Sequence, residues 1–161
     1  MFGAGNATPR GVAIDLLARR EYSRAELHQK LLQKAFDEAE ILECLNALEE
    51  QGLQDDARFA ESFVRSRVLR GQGPMRIKME LGRRCIKSDL QSDALRLVAE
   101  QERIDWFELA AETLQRRFRT SGASDGERFV PPKERARRER FLAQRGFDFD
   151  QIRYALTTLS D

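Results

Sequence analysis

Apolar residues return along this chain at steps of three and four, the spacing that puts them on one face of a helix. Ile41, Leu45 and Leu48 form one such face, and Phe59, Phe63 and Val64 begin another. Helix-start signals sit where these faces need them. Ser23 and Glu26 make a capping-box pattern, and Asp37 with Glu40 makes a looser one before the next helix. Pro74 and Pro132 suit a first helical turn, where a missing N–H removes no intrahelical bond. One segment, Met75 to Leu81, alternates apolar and polar as a half-buried strand does. It follows Pro74, contains a single β-branched residue and aligns with a helix elsewhere in the chain, so it reads as helix.

That alignment comes from an internal repeat. Superposing Phe36 on Phe147 also superposes Leu31 on Leu142, Asp37 on Asp148, and Ile41, Leu45 and Leu48 on Ile152, Leu156 and Leu159. A middle copy runs through Ile77, Leu81, Cys85 and Ile86 to Leu90, Ala94 and Leu97, with a slip of one residue in its second helix. A longer helix precedes each copy, carrying Val12, Leu16 and Leu17; then Phe59, Phe63 and Val64; then Phe107, Leu114 and Phe118. Trp106, Phe107, Phe59 and Phe63 are core candidates. Repeats of this length mean stacked supersecondary units. The expected architecture is all-α: a flexible N-terminus over 1–10, then three-helix repeats over 11–52, 53–98 and 99–161. The third carries a loop insertion at 120–130, and the whole is expected to be elongated and curved.

Composition narrows the class. Apolar residues are 41% and charged residues 34% of 161. No stretch approaches the roughly 18 apolar residues of a membrane span, and Met1–Arg10 lacks the apolar core of a secretory signal. A cytoplasmic protein that avoids membranes is expected. Cys44 and Cys85 are far apart, and His28, expected on an exposed charged surface, is the one histidine. A tetrahedral zinc site lacks ligands, and two reduced, mostly buried thiols are expected. No phosphate-cradling G-x-x-x-x-G-K-[ST] loop is present; Gly71-Gln72-Gly73 reads as a turn between helices. No enzyme and no cofactor are expected.

The near-neutral total, +1, conceals a segregated charge. Asp37 to Glu61 holds nine acids against Arg58, whereas Arg65 to Lys87 holds Arg65, Arg67, Arg70, Arg76, Lys78, Arg83, Arg84 and Lys87 against Glu80. A second basic block includes Arg116, Arg117, Lys133, Arg137, Arg138 and Arg145. Such asymmetry suits unlike partners, or one partner bearing both signs. Arg76, Glu80, Arg83 and Lys87 fall at steps of four, three and four on the helix after Pro74, giving a mostly cationic stripe. Phosphate neutralisation by such a stripe drives nucleic-acid binding, although a solvated face is the commoner fate of the pattern. Arg67 follows Phe63 by four residues, so its stem can equally cover apolar surface. Asp37 and Asp55 or Asp56 are capping candidates, which makes part of the acidic stretch structural.

Three runs now carry a resemblance. Leu16-Leu17-Ala18-Arg19-Arg20-Glu21-Tyr22-Ser23-Arg24-Ala25-Glu26-Leu27 resembles the first-module signature of the RecX family. The stretch Asp55 to Arg67, followed by Gly71-Gln72-Gly73-Pro74 and Ile77, resembles its second, and Arg145 to Ile152 its third. The resemblance implies tandem three-helix repeats and a negative modulator of RecA, the recombinase that polymerises on single-stranded DNA and hydrolyses ATP. It implies lodging in the filament groove, touching RecA and the enclosed single-stranded DNA; separately, a monomer is expected, with free DNA a weaker partner. Candidate contacts, chosen on charge and helical spacing, are Arg65, Arg67, Arg70, Arg76, Lys78, Arg83, Lys87, Lys133, Arg137, Arg138 and Arg145. A helix-turn-helix regulator on duplex operators is the alternative, since each module has a short turn between helices. The family usually has glycine before the apolar residue of each helix-linking turn. Gly146 keeps it, while Ala35 and Cys85 replace it, so those two turns are expected to close differently.

Overall fold

A computed structural model describes residues 7–118 and 130–160. Among the described residues the chain forms nine helices and no strand. They are α1 (Pro9–Leu17), α2 (Arg24–Gln33), α3 (Glu38–Glu50), α4 (Asp56–Leu69), α5 (Pro74–Arg83), α6 (Ser88–Gln101), α7 (Trp106–Phe118), α8 (Pro132–Arg145) and α9 (Phe149–Ser160). Met75–Leu81 is helical, as Pro74 predicts. The first helix begins at Pro9, earlier than the repeat boundary at residue 11, because the Thr8 hydroxyl caps it by accepting from Gly11 N at 3.0 Å. The N-terminal six residues and the loop insertion, except Val130, lie outside the described residues.

The turns linking the second and third helices of each triplet share one closure. Gly146 has φ +96°, and Ala35 and Cys85 adopt the same left-handed region at φ +64° and +59°. Behind each residue the same two hydrogen bonds form: Phe36 N to Leu31 O and Ala35 N to Leu32 O; Ile86 N to Leu81 O and Cys85 N to Gly82 O; Phe147 N to Leu142 O and Gly146 N to Ala143 O. This is the six-to-one, five-to-two pairing of a Schellman cap. The expectation that Ala35 and Cys85 would close their turns differently is therefore corrected. Satisfying two carbonyls at each helix end outweighs the roughly 1–2 kcal/mol of steric cost for a side chain there.

The common turn also removes the slip from the middle copy. With Ile86 in the place of Phe36, α6 presents Gln91, Leu95 and Val98 where α3 presents Ile41, Leu45 and Leu48. Gln91, Ala94 and Val98 are the buried positions, while Leu90 and Leu97 are only half-buried. Gln91 is tolerated inside because its Nε2 donates to Ile86 O at 2.8 Å. A polar residue at a core position had broken the apolar pattern and shifted its apparent phase.

Caps elsewhere follow sequence in part. Ser23 and Glu26 form both bonds of the capping box. Asp37 makes no side-chain cap bond, which corrects the looser box expected there. Asp148 and Gln151 instead close a reciprocal pair at the start of α9, at 2.9 and 2.8 Å. Asp55 Oδ1 accepts from Ala57 N, capping α4.

Two compact units form, Met1–Phe63 with Leu81–Ala94 and Val64–Glu80 with Leu95–Asp161, so the helices of the middle triplet are shared between them. One core in the first unit gathers Ala13, Tyr22, Leu27, Leu31, Ile41, Leu45 and Leu48. A core in the second gathers Ala110, Leu114, Leu142, Phe147, Ile152 and Leu156. Phe59 and Phe63 are buried as expected; Trp106 is half-buried and Phe107 exposed, against expectation. Phe107 packs edge-on against Tyr154 at 5.9 Å between ring centroids. Both cysteines are free thiols, but Cys85 is exposed rather than buried because it occupies the left-handed turn. His28 is less exposed than expected, its Nε2 lying 2.6 Å from Glu38 Oε1.

Candidate functional site

The basic residues chosen from sequence fall into distinct settings. In the second unit Arg65 hydrogen-bonds Gln101 and lies 3.4 Å from Glu102 Oε1. Arg67 Nε is 3.5 Å from one oxygen of Glu80, and Arg76 Nε is 3.3 Å from the other. Only 17% of the Arg67 side chain and 12% of that of Glu80 is exposed, so this pairing is largely out of water. Lys78 and Arg70 are exposed.

The turn between α4 and α5 holds the turn between α8 and α9. Gly73 N donates to Arg145 O at 2.7 Å, Met75 N to Gly146 O at 3.0 Å, and Arg76 Nη1 to Gln144 O at 3.2 Å. Arg145 Nη1 donates in return to Arg70 O at 3.0 Å. Carbonyls ending α8 thus find donors at the start of α5, where unpaired N–H groups are available. Contact is close enough that a Cβ on Gly73 would sit 2.5 Å from the Gly146 carbonyl.

Beside this junction lies a cavity of about 240 Å³ lined by Leu69, Arg70, Gly71, Thr113, Arg116, Arg117, Phe141 and Arg145. Four arginine side chains line it and, among the described residues, no carboxylate does. The Arg145 guanidinium lies 5.2 Å from the centre of the Phe141 ring. The carboxylates of Asp105, Glu108 and Glu112 line an adjoining groove of about 430 Å³, which shares Leu69 and Arg116 with the cavity.

The helix α8 is less available than its charge suggests. Glu134 lies 3.6 Å from Arg137 and 3.5 Å from Arg138, and Arg135 is 3.4 Å from Glu139. Arg137 and Arg138 also stand 5.3 and 5.6 Å from the Phe118 ring centre. Lys133 is exposed. Arg83 and Lys87 belong to the first unit. Arg83 ends α5, and Lys87 lies beyond it, its carbonyl accepting from Gln91 N at 3.0 Å. The stripe through Arg76, Glu80, Arg83 and Lys87 is corrected accordingly: the left-handed turn at Cys85 breaks the helix before its last member.

Arg116 and Arg117 belong to the second basic block but are not among the contacts expected from sequence. The signal was their place in the last turn of α7, which only the packing of α4 and α8 nearby turns into part of a cavity. Burial pushes the Cys44 thiol up, opposed by Arg10, and a hydrogen bond to Glu108, with some burial and the charges of Glu108 and Asp105, pushes Tyr154 up. Among the described residues no group of three His, Cys, Asp or Glu is placed to hold a metal ion, and no helix is long and apolar enough to cross a membrane.

Fold and site together define an all-helical tandem-repeat protein with an arginine-lined cavity. Known proteins carry the same plan. Family models described as the first, second and third three-helix domains of RecX match residues 10–48, 55–95 and 104–156. The "Regulatory protein RecX" of Chromohalobacter salexigens is 51% identical over 150 residues, covering 93% of this chain and 91% of that protein. Its namesake in Halorhodospira halophila is 42% identical over 153 residues, covering 95% and 89%. A crystal structure of RecX from Lactobacillus salivarius superposes with a TM-score of 0.71 at 25% identity, covering 94% of each chain. The chain belongs to the RecX family of regulatory proteins.

Proposed function

We propose that this protein is a negative regulator of the RecA recombinase. It binds the RecA–single-stranded DNA filament in its groove and limits filament growth, ATP hydrolysis and strand exchange. The RecA assignment rests on the resemblance carried by all three triplets. The structural observation that supports it is the division among the cations. Arg65, Arg67, Arg76, Arg137 and Arg138 have carboxylates beside them. Arg70 and Arg145 instead line a cavity with none among the described residues. Unneutralised guanidinium groups gain most from an anionic partner, and a nucleoprotein filament supplies phosphate. In this reading the protein acts as a cytoplasmic monomer, without cofactor or catalysis, and free DNA binds it more weakly than the filament does.

Purified protein added below RecA stoichiometry depresses DNA-dependent ATP hydrolysis and strand exchange. Unchanged rates at equimolar protein overturn the proposal. Footprinting without RecA separates it from an operator-binding regulator, which alone leaves a sequence-specific footprint on duplex DNA.

A further inference from the structure

We infer that the cavity formed by Arg70, Arg116, Arg117 and Arg145 is a phosphate subsite that takes the backbone of single-stranded DNA. The inference rests on the proposed function and specifies which side chains meet the nucleic acid. Four arginines lining about 240 Å³ repel one another, and among the described residues no lining carboxylate relieves them. The chain does relieve its cations elsewhere: Glu26, Glu49, Glu80, Glu102 and Glu134 each lie beside at least one arginine. Even Glu112, one helical turn before Arg116, lines the adjoining groove and not this cavity.

The guanidinium of Arg145 is oriented before any ligand arrives. It donates to Arg70 O at 3.0 Å and lies against Phe141, so little side-chain freedom remains to be lost on binding. Arg117 lies 5.4 Å from the Phe118 ring centre. Guanidinium forks match phosphate oxygens in pairs, a geometry that suits a phosphodiester. Arg70 and Arg145 were legible as candidate contacts; Arg116 and Arg117 complete the set from another helix.

The test measures binding of a fluorescently labelled oligothymidylate to the full chain by anisotropy, without RecA, over a series of salt concentrations. Arg116→Ala/Arg117→Ala is the pocket variant, since neither side chain takes part in the junction of the two turns. Arg96→Ala/Arg153→Ala removes the same charge from α6 and α9. The pocket variant is expected to weaken binding about tenfold or more and to flatten the salt slope by roughly 1.4, at about 0.7 for each lost phosphate contact. The control pair is expected to change neither appreciably. Equal losses in both variants, an unchanged pocket variant, or no binding by the parent chain overturns the assignment. So does pyrophosphate binding that needs Arg116 and Arg117 while oligothymidylate binding does not, which marks a small phosphate ligand. Pocket variants that bind the oligonucleotide normally but lose the RecA filament also overturn it, marking a protein carboxylate. Suppression of RecA ATP hydrolysis by the parent chain reads the proposed function separately.

Discussion

The Gly73 amide donates to the Arg145 carbonyl at 2.7 Å, joining the turn that opens α5 to the end of α8 across a sequence separation that no local pattern reveals. Both turns depend on glycine there. Gly146 has φ +96°, and a Cβ on it would lie 2.3 Å from Arg76 Cβ, while one on Gly73 would meet Gly146 backbone. Backbone cannot yield as a flexible side chain does. Gly73→Ala and Gly146→Ala are each expected to lower stability by about 2–4 kcal/mol, through overpacking at both sites and strain at the second. Urea unfolding followed by circular dichroism measures this, and a loss below about 0.5 kcal/mol in both would mean the turns are not held together in solution.

The equivalent turns at Ala35 and Cys85 predict the opposite sign. Both residues bear side chains at φ near +60°, and both are exposed. Glycine relieves the left-handed strain but loosens the unfolded chain, so the two effects partly cancel. Ala35→Gly and Cys85→Gly should each stabilise by about 0.5–1 kcal/mol, seen as a higher urea midpoint with an unchanged denaturant slope. Destabilisation by either would show that its Schellman closure does not persist in solution.

Why these turns were misread, while the helices around them were not, is a matter of which forces act locally. Helix faces such as Ile41-Leu45-Leu48 declare themselves because burial demands a period near 3.6, and the Phe36–Phe147 superposition follows from the same demand. The slip assigned to α6 arose because Gln91 fills a core position with a hydrogen bond that pattern reading counts as polar exposure. Glycine was expected wherever the chain turns left-handed, yet two backbone hydrogen bonds hold Ala35 and Cys85 there. The site was legible only as charge. Arg67 and Arg145 carry the same sign in sequence, which does not reveal that Glu80 lies beside one while the other lines a cavity with no carboxylate among the described residues.

Tyr154 offers a spectroscopic check on the α7–α9 packing. Its hydroxyl donates to Glu108, so its folded-state pKa lies above the ordinary 10. The neutral phenol is the favoured form. Stability from this contact is fully present below the ordinary tyrosine range and is lost as pH rises through the raised value. In a Tyr22→Phe background, phenolate absorbance should titrate above pH 10, and Glu108→Ala should move the midpoint back down. A midpoint that ignores Glu108→Ala would mean the hydrogen bond is not formed.

Arg67 and the pair Arg83 and Lys87 were all chosen as contacts on charge, and their surroundings predict separable consequences. Arg67 lies 3.5 Å from Glu80, with both side chains mostly withdrawn from water. Removing its charge takes one cation from a carboxylate mostly withdrawn from water, so Arg67→Met should lower stability by about 1–3 kcal/mol. Its effect on RecA suppression should shrink once the folded fraction is matched. Arg83 and Lys87 are exposed, and Arg83→Ala/Lys87→Ala should leave stability within about 0.5 kcal/mol. If these cations face the filament, the same double variant needs several-fold more protein to halve RecA ATP hydrolysis, and added salt narrows its deficit, because screening removes from the parent what the substitution has already removed. Urea midpoints beside ATPase titrations resolve the two cases. A double variant that suppresses as well as the parent would remove Arg83 and Lys87 from the interface and leave the second unit's cavity to carry the phosphate contact.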